Sequence, residues 1–184
     1  VLRVRPFSLL RYFALASLGV IVVLALVIAG VFSANLERNL TDEAGLYAQD
    51  LSRSINRELY RQFLAPLAQR GESFDPTRPE QLAAVDAIVA ARTEGFRVLD
   101  VILFDLKGTV IYSTHAPDIG YRSIDNPGLL AALHGESPSE LEDSELERRT
   151  VGPGTPLVET YTPFYDLSAE GSQPTIRGVH EVYQ

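Results

Sequence analysis

The stretch from Arg97 to Gly120, RVLDVILFDLKGTVIYSTHAPDIG, predicts two antiparallel strands joined by a tight turn. Residues 97–105 are β-branched and almost wholly apolar, which is typical of a central strand covered on both faces. In the turn that follows, Asp105 can accept hydrogen bonds from backbone amides, and Gly108 can take a positive φ. Residues 109–114 then form the returning strand, so the core of the fold is a β-hairpin.

The chain after this hairpin predicts more strands and one short helix. A helix is expected at residues 129–133, and strands at 157–165 (LVETYTPFY) and 175–184. The acidic stretch from Glu136 to Thr150 is either a solvent-facing strand or a loop, and its spacing lacks the alternation and central glycine of a calcium loop. A turn is expected at residues 166–173.

The chain before the hairpin predicts two helices. Apolar residues recur every three or four positions over residues 34–70, which indicates a long amphipathic helix that Pro66 ends or kinks. Its apolar stripe either packs on its own sheet or pairs with the same helix of a second chain. The second helix is expected at residues 77–94, opened by a capping box of Thr77 and Glu80.

An uncharged, apolar run at residues 12–32 (YFALASLGVIVVLALVIAGVF) predicts a transmembrane helix. Arg3, Arg5 and Arg11 precede it without an acid, so the positive-inside rule places residues 1–11 in the cytoplasm and residues 33–184 outside. The alternative, a cleaved signal peptide, requires a shorter apolar core and a better cleavage site than Val31-Phe32-Ser33.

Composition limits the partners of the outer part. All 24 acidic residues and 13 of the 16 basic residues follow the apolar run, since three arginines precede it. The net charge of the part after the run is therefore 13 − 24 = −11. Such a surface does not favour nucleic acid or anionic lipid. The sequence has no cysteine, so it has no disulfides or thiolate metal site. It ends within an expected strand, which suggests a piece of a longer protein.

Enzyme and metal chemistry find little support. The segment VILFDLKGTVI resembles the first motif of haloacid-dehalogenase-type hydrolases, in which Asp105 would be the nucleophile. However, a strand follows the glycine where those enzymes need a helix, and Lys107 occupies the place of the second carboxylate of the phosphatases. The three histidines are scattered, and their spacing does not match a zinc site. We therefore expect no catalytic residues, no metal and no cofactor in this segment.

The order of the motifs resembles the extracellular Cache family, the PAS-like sensor domains of bacterial membrane receptors. The resemblance covers roughly residues 36–184. It is carried by an Asp-x-x-Gly turn, a strand ending in Tyr-Ser-Thr, a loop ending in Ile-Gly, and three later segments: Asp105–Gly108, Tyr112–Thr114, Ile119–Gly120, NPGLLAALHGE, LVETYTPFYD and GVHEVYQ. The residue set of amino-acid-binding double Cache domains is not apparent.

This resemblance implies an α+β fold with a long N-terminal helix and an antiparallel sheet at residues 97–184. It also implies a periplasmic signal-sensing domain of an inner-membrane histidine kinase or diguanylate cyclase. Such a receptor would form a homodimer, contact lipid through residues 12–32, and pass a ligand-dependent shift to a cytoplasmic output domain. The alternatives are a dimerisation scaffold that senses nothing and, more remotely, the hydrolase.

The resemblance further implies a pocket between the sheet and the loop of residues 115–135. By strand alternation we expect Val110, Tyr112 and Thr114 to share one face, as do Glu159 with Tyr161 and Glu181 with Tyr183. The candidate ligand-binding residues are Tyr112, His115, Tyr121, Arg122 and Tyr161. Arg122 would anchor the carboxylate of an organic acid. Each of these side chains is equally well explained as ordinary core or pocket rim.

Overall fold

The structure is a computed structural model that describes residues 6–142, 157–167 and 175–184. Residues 1–5 lie outside this range. So do residues 143–150 of the acidic stretch and residues 168–173 of the expected turn. The chain divides into two compact units, Val1–Leu40 and Thr41–Gln184.

The first unit contains the start of helix α1, which begins at Pro6 and ends at Leu59 in the second unit. Within α1, the 23 residues Leu10–Phe32 have a mean hydropathy of 2.9, and none of this segment is buried. In the described part of the chain it is the one helix whose length and composition suit a membrane span.

The second unit begins with the rest of α1, followed by a π-helical turn at Tyr60–Leu64 and by α2 at Ala65–Gln69. The Ala65 amide donates to the Tyr60 carbonyl, which is the longer hydrogen bond of a π turn. The wide turn lies directly before Pro66, which has no amide to donate and whose ring conflicts with a regular preceding turn. The helical path therefore passes Pro66 and does not end there.

Helix α3 spans Pro79–Thr93, and it does not have the capping box expected from the sequence. Arg78 is the N-cap residue and makes no side-chain cap hydrogen bond. Thr77 instead donates from both its amide and its hydroxyl to Asp75 Oδ1, at 2.9 and 2.7 Å. The prediction was wrong because Pro79, with its fixed φ, favours the first helical position and so moves the N-cap to Arg78.

Five antiparallel strands form one sheet in the order β2-β1-β5-β4-β3. Their bounds are Asp100–Asp105 (β1), Val110–Ser113 (β2), Ser139–Glu142 (β3), Leu157–Asp166 (β4) and Thr175–Tyr183 (β5). Helix α4, Pro127–Leu133, lies between β2 and β3 in the chain. The prediction of an α+β domain with an antiparallel sheet is confirmed.

The alternation expected along β2 is wrong, because the strand contains a bulge. Leu103 pairs with Tyr112, but the next residue, Phe104, pairs with Val110, so Ile111 is the extra residue. Tyr112 therefore packs with one core and Val110 with the other.

The sheet separates two cores. On one face, the buried side chains of α1 to α3, among them Ile55, Leu59 and Val89, pack on Val101 and Leu103. The apolar stripe of the long helix thus packs on its own domain. On the other face, Leu129 and Ala132 of α4 pack on a second buried cluster that includes Ile102, Phe104, Val110, Leu157, Tyr161, Val179 and Tyr183.

Candidate functional site

The sheet face beneath α4 carries a group of buried polar side chains in a largely apolar layer. Four of them belong to β4 and β5, where Glu159 lies opposite Tyr183 and Tyr161 lies opposite Glu181. Their exposed fractions are only 8%, 7%, 1% and 3%, in that order. Carboxylates are seldom buried to this extent unless polar groups accompany them.

Hydrogen bonds join each tyrosine to a carboxylate of its own strand. The Tyr161 hydroxyl donates to Glu159 Oε2 at 3.1 Å, and the Tyr183 hydroxyl donates to Glu181 Oε1 at 2.7 Å. Because residues i and i+2 of a strand point to the same face, the two pairs stand side by side. The expected sharing of faces within these two pairs is confirmed.

Asn126 and Gly128 fix the start of α4 over this group. Asn126 is the N-cap residue: its Oδ1 accepts from the Leu129 amide at 2.8 Å, and its Nδ2 donates to the Tyr161 hydroxyl at 2.6 Å. At Gly128, an added Cβ would overlap the Tyr161 ring. A small residue is therefore needed where the helix crosses the ring.

Burial raises the pKa of the Tyr161 phenol, and the neighbouring Glu181 carboxylate raises it further. Tyr161 thus remains a neutral hydrogen-bond donor. The face offers phenol and carboxylate groups, which suit the recognition of a small polar molecule by directed hydrogen bonds. Among the described residues, no group of three or more histidine, aspartate or glutamate side chains is arranged to hold a metal ion.

The structure places Tyr112 apart from the other residues proposed for the pocket. It lies on the α1 face, 2% exposed, and its hydroxyl donates to Asp86 Oδ1 of α3 at 2.9 Å. Burial, followed by the bond to Asp86, raises the pKa of its phenol. The bulge at Ile111 explains this placement, since it reverses the facing of the residues before and after it.

Three other proposed residues lie in the exposed loop after β2. His115 Nδ1 is 3.2 Å from Asp118 Oδ2, and the Tyr121 side chain is 68% exposed. Arg122 donates from Nε to the Lys107 carbonyl at 3.1 Å, and its backbone forms a bridge with Thr109. Arg122 therefore lies beside the β1–β2 turn. Of the five candidates, Tyr161 alone belongs to the group beneath α4.

Four residues of this group are not among the ligand-binding residues predicted from the sequence: Asn126, Glu159, Glu181 and Tyr183. A signal for three of them is present, because VETY and HEVY each place a glutamate and a tyrosine two apart in a predicted strand, so that both side chains share a face. Asn126 carries the weaker signal of an N-cap residue before Pro127, and its contact with Tyr161 depends on the tertiary fold.

Asp105 caps the β1–β2 turn. Its Oδ1 accepts from the amides of Lys107 and Thr109, both at 2.8 Å, and Gly108 has a φ of 74°. Strand β2 follows directly, so the chain lacks the strand-to-helix crossover that the haloacid-dehalogenase motif requires at this point. The carboxylate has a structural role here.

Two cavities lie on the helical side of the second unit. One, of about 40 Å³, is apolar and lies between the helices and the sheet, against Leu59, Phe63 and Phe164. The other, of about 470 Å³, is a groove along α1 and α3 in which Arg92 pairs with Glu58 at 2.9 Å. Neither is lined by any of the five predicted ligand residues.

The chain is similar in fold to several solved sensor structures. With the sensor domain of DcuS from E. coli it shares 19% identity at a TM-score of 0.46, covering 78% of this chain and 90% of that one. With the sensor domain of the V. cholerae histidine kinase DctB it shares 13% identity at a TM-score of 0.49, covering 83% and 54%.

A third similar structure is an extracellular ligand-binding receptor from Desulfohalobium retbaense, with 12% identity and a TM-score of 0.43. The alignment covers 81% of this chain and 25% of the receptor, so the chain spans about a quarter of its length. No protein-family model and no curated protein matches the chain. Two of these three similar structures are sensor domains, the class of domain that the sequence predicts by resemblance.

Proposed function

We propose that this chain is the sensory part of a bacterial inner-membrane receptor. Residues 1–11 are a cytoplasmic stub, residues 12–32 span the membrane in contact with lipid, and residues 33–184 form a periplasmic sensor domain. The observation that carries the proposal is the buried polar face beneath α4, where Tyr161 joins Asn126 of the covering helix to Glu159 of the sheet. A small molecule bound there contacts both elements.

The signal passes from this face to the membrane through the sheet. β5 takes part in both cores, through Tyr183 and Val179 on the α4 face and Val182 on the α1 face. A ligand that favours one position of α4 therefore biases the packing of α1. The equilibrium between the two packing states shifts by as much as the ligand's affinities for them differ. In a homodimer this bias moves the transmembrane helices and sets the activity of a histidine kinase or diguanylate cyclase output domain.

The ligand is a small polar molecule, and the exposed Arg122 remains the candidate anchor for an organic acid. We would test it by circular-dichroism melting of the whole chain in detergent at pH 7.5. The compounds are small carboxylates, amino acids, sugars and divalent cations. A ligand at 100 times its dissociation constant stabilises by about 2.7 kcal/mol, which shifts the melting temperature by several degrees.

Three variants then locate the site. Loss of the shift in Arg122→Ala places the ligand in the exposed loop, and loss in Glu159→Gln places it beneath α4. Arg53→Ala is the matched control, because Arg53 is exposed on α1, where it pairs with Asp50 at 3.0 Å. Absence of a shift with every compound class would contradict ligand sensing.

A dimerisation scaffold is the second candidate, and an exposed aromatic pair favours it. The rings of Tyr47 on α1 and Phe96 after α3 lie 5.4 Å apart, and these side chains are 39% and 48% exposed. Leu46 beside them is 67% exposed. If Phe96→Ser turns a dimer into a monomer in analytical ultracentrifugation while no compound stabilises the chain, the scaffold function is the correct one.

A further inference from the structure

His180 is a fully buried imidazole in the middle of the sheet. It lies on β5, on the face that α1 covers, with an exposed fraction of 0%. In the register of the sheet it is flanked by Leu103 on β1 and Thr162 on β4. The Phe164 ring meets the imidazole edge-on, with the ring centroids 5.2 Å apart.

Within residues 6–142, 157–167 and 175–184, neither ring nitrogen of His180 has a hydrogen-bond partner, and the same is true of the buried hydroxyls of Thr162 and Ser52. A buried polar atom left without a partner costs about 1–3 kcal/mol. We call these three side chains the polar seam. The seam is a costly feature of the core, so a state that hydrates these groups would recover part of that cost.

The course of α1 places Ser52 over this part of the sheet. A Cβ added at Gly45 would meet the Ser139 side chain and come within 4.0 Å of Thr160 Oγ1. With its nitrogen turned toward the carbonyl, the carboxamide of Asn56 pairs with the backbone O and N of Tyr165, at 3.2 and 3.3 Å. Along α1, the 11 residue steps from 45 to 56 cover about 16.5 Å, and along β4 the five steps from 160 to 165 cover about the same distance. Because the two segments are adjacent at both ends, the α1 residue Ser52 lies near Thr162 of β4.

Among the residues that the structure describes, no charged group acts on the imidazole. Its neighbours in the sheet are Leu103, Thr162 and Phe164, and α1 presents Ser52 and Ile55 on its buried side. The ionisable residues of this part of α1 point elsewhere: Asp50, Arg53 and Arg57 are exposed, and Glu58 pairs with Arg92. Burial is accordingly the one cause that lowers the pKa of His180, to about 3.

We propose that the polar seam is a proton-binding switch: His180 takes up a proton only when α1 separates from β4 and β5, so acid favours the separated state. The imidazolium has no acceptor carboxylate in the packed seam, whereas water can solvate it once the helix has moved. The π turn at Tyr60–Leu64 and the apolar cavity of about 40 Å³ beside Phe164 lie along the same helix–sheet layer. The cavity reduces the packing that opening must disrupt.

The direction of the pH effect follows from linkage. In the open state His180 titrates near its unperturbed pKa of about 6.5, whereas in the closed state it stays neutral down to about pH 3. Between these values the open state binds the extra proton, so opening increases as the pH falls and levels off below 3. From pH 7.5 to pH 5.0 the opening constant should rise about 30-fold.

Hydrogen exchange of the whole chain in detergent tests this, with rates corrected for the intrinsic effect of pH. We expect the α1 amides of residues 48–59 to open about 30-fold more at pH 5.0 than at pH 7.5, and the difference to disappear in His180→Leu. Leucine suits the site because Leu103 and Phe164 already surround it. His180→Gln, a neutral polar replacement, should also remove the difference.

The other two histidines supply the matched control, since His115 and His134 are both exposed. The double variant H115Q/H134Q keeps His180 and should keep the full pH effect. If His180→Leu and His180→Gln retain the wild-type pH dependence, acidic residues are responsible and the proposal is wrong. It is also wrong if imidazole NMR signals show His180 charging while the α1 amides stay protected.

This inference goes beyond ligand sensing and rests on the proposed sensory role only for its biological meaning. The ligand screen is performed at pH 7.5, where His180 is neutral in both states. Failure of the screen therefore leaves the pH-dependent exchange unaffected, and failure of the exchange experiment says nothing against a ligand beneath α4.

Discussion

Two buried tyrosines, Tyr112 and Tyr161, each donate a hydroxyl hydrogen to a carboxylate, but the carboxylates differ in burial. The partner of Tyr112 is Asp86, which is exposed on α3 and can bind water when the hydroxyl is removed. The partner of Tyr161 is Glu159, which is 8% exposed. The same chemical change therefore has different consequences on the two faces of the sheet.

We predict that Tyr161→Phe destabilises the domain more than Tyr112→Phe. Loss of a donor to a buried carboxylate should cost about 1.5–3 kcal/mol, and Asn126 loses an acceptor as well; Tyr112→Phe should cost about 0.5–1.5 kcal/mol. Urea unfolding of both variants measures the difference. Equal losses would mean that Glu159 is rehydrated as easily as Asp86, which contradicts the burial of the face beneath α4.

For single residues, the sequence indicates which residue types could form a binding site but not which side chains lie together in the fold. The residue type alone makes Tyr161 a candidate, because an aromatic residue with a polar tip suits both a pocket and a core. The charge of Arg122 makes it a candidate, yet the structure places it against the Lys107 carbonyl in an exposed loop. Which side chains share a site depends on strand register and on the bulge at Ile111, which tertiary packing determines.

The β1–β2 turn is an element whose chemistry was predictable, because it is local. We predict that Asp105→Ala destabilises the hairpin by about 1–2 kcal/mol, since two turn amides lose their acceptor, whereas Asp105→Asn retains an acceptor oxygen and costs less. Thermal unfolding compares the two variants. If Asp105 were instead a hydrolase nucleophile, the wild-type chain would cleave haloacid or ester substrates and Asp105→Asn would abolish that cleavage.

The success of prediction for the other elements also depended on how local their signals are. β1, β4, β5 and α4 were expected within a few residues of their bounds, because each has its own run of apolar residues between turn signals. The start of α3 was misassigned, because Pro79 outweighs the capping box of Thr77. The π turn before Pro66 depends on how α1 packs, and the sequence predicted only an end or a kink there.

For the whole molecule, charge and hydropathy predict how the chain is oriented across a membrane, which the fold by itself does not specify. Three arginines lie before the apolar run of residues 12–32, and residues 33–184, which follow it, carry a net charge of −11. Basic residues near a span are retained in the cytoplasm, and the acidic domain is free to be exported. The proposed sensing at the polar face requires this orientation, because a periplasmic ligand would reach α4 only if the domain lay outside.

The absence of cysteine from the sequence makes this orientation directly measurable with single introduced thiols. We predict that Ser73→Cys, at an exposed position between α2 and α3, reacts with a membrane-impermeant maleimide in intact bacterial cells whose outer membrane admits the reagent. Ser8→Cys, among the N-terminal arginines, should react only after the inner membrane is permeabilised, because positive flanks remain inside. Permeabilised cells, in which both thiols react, provide the control for intrinsic reactivity. Labelling of Ser8→Cys but not Ser73→Cys in intact cells would reverse the orientation and place the polar face beneath α4 in the cytoplasm, where it could not report on the periplasm.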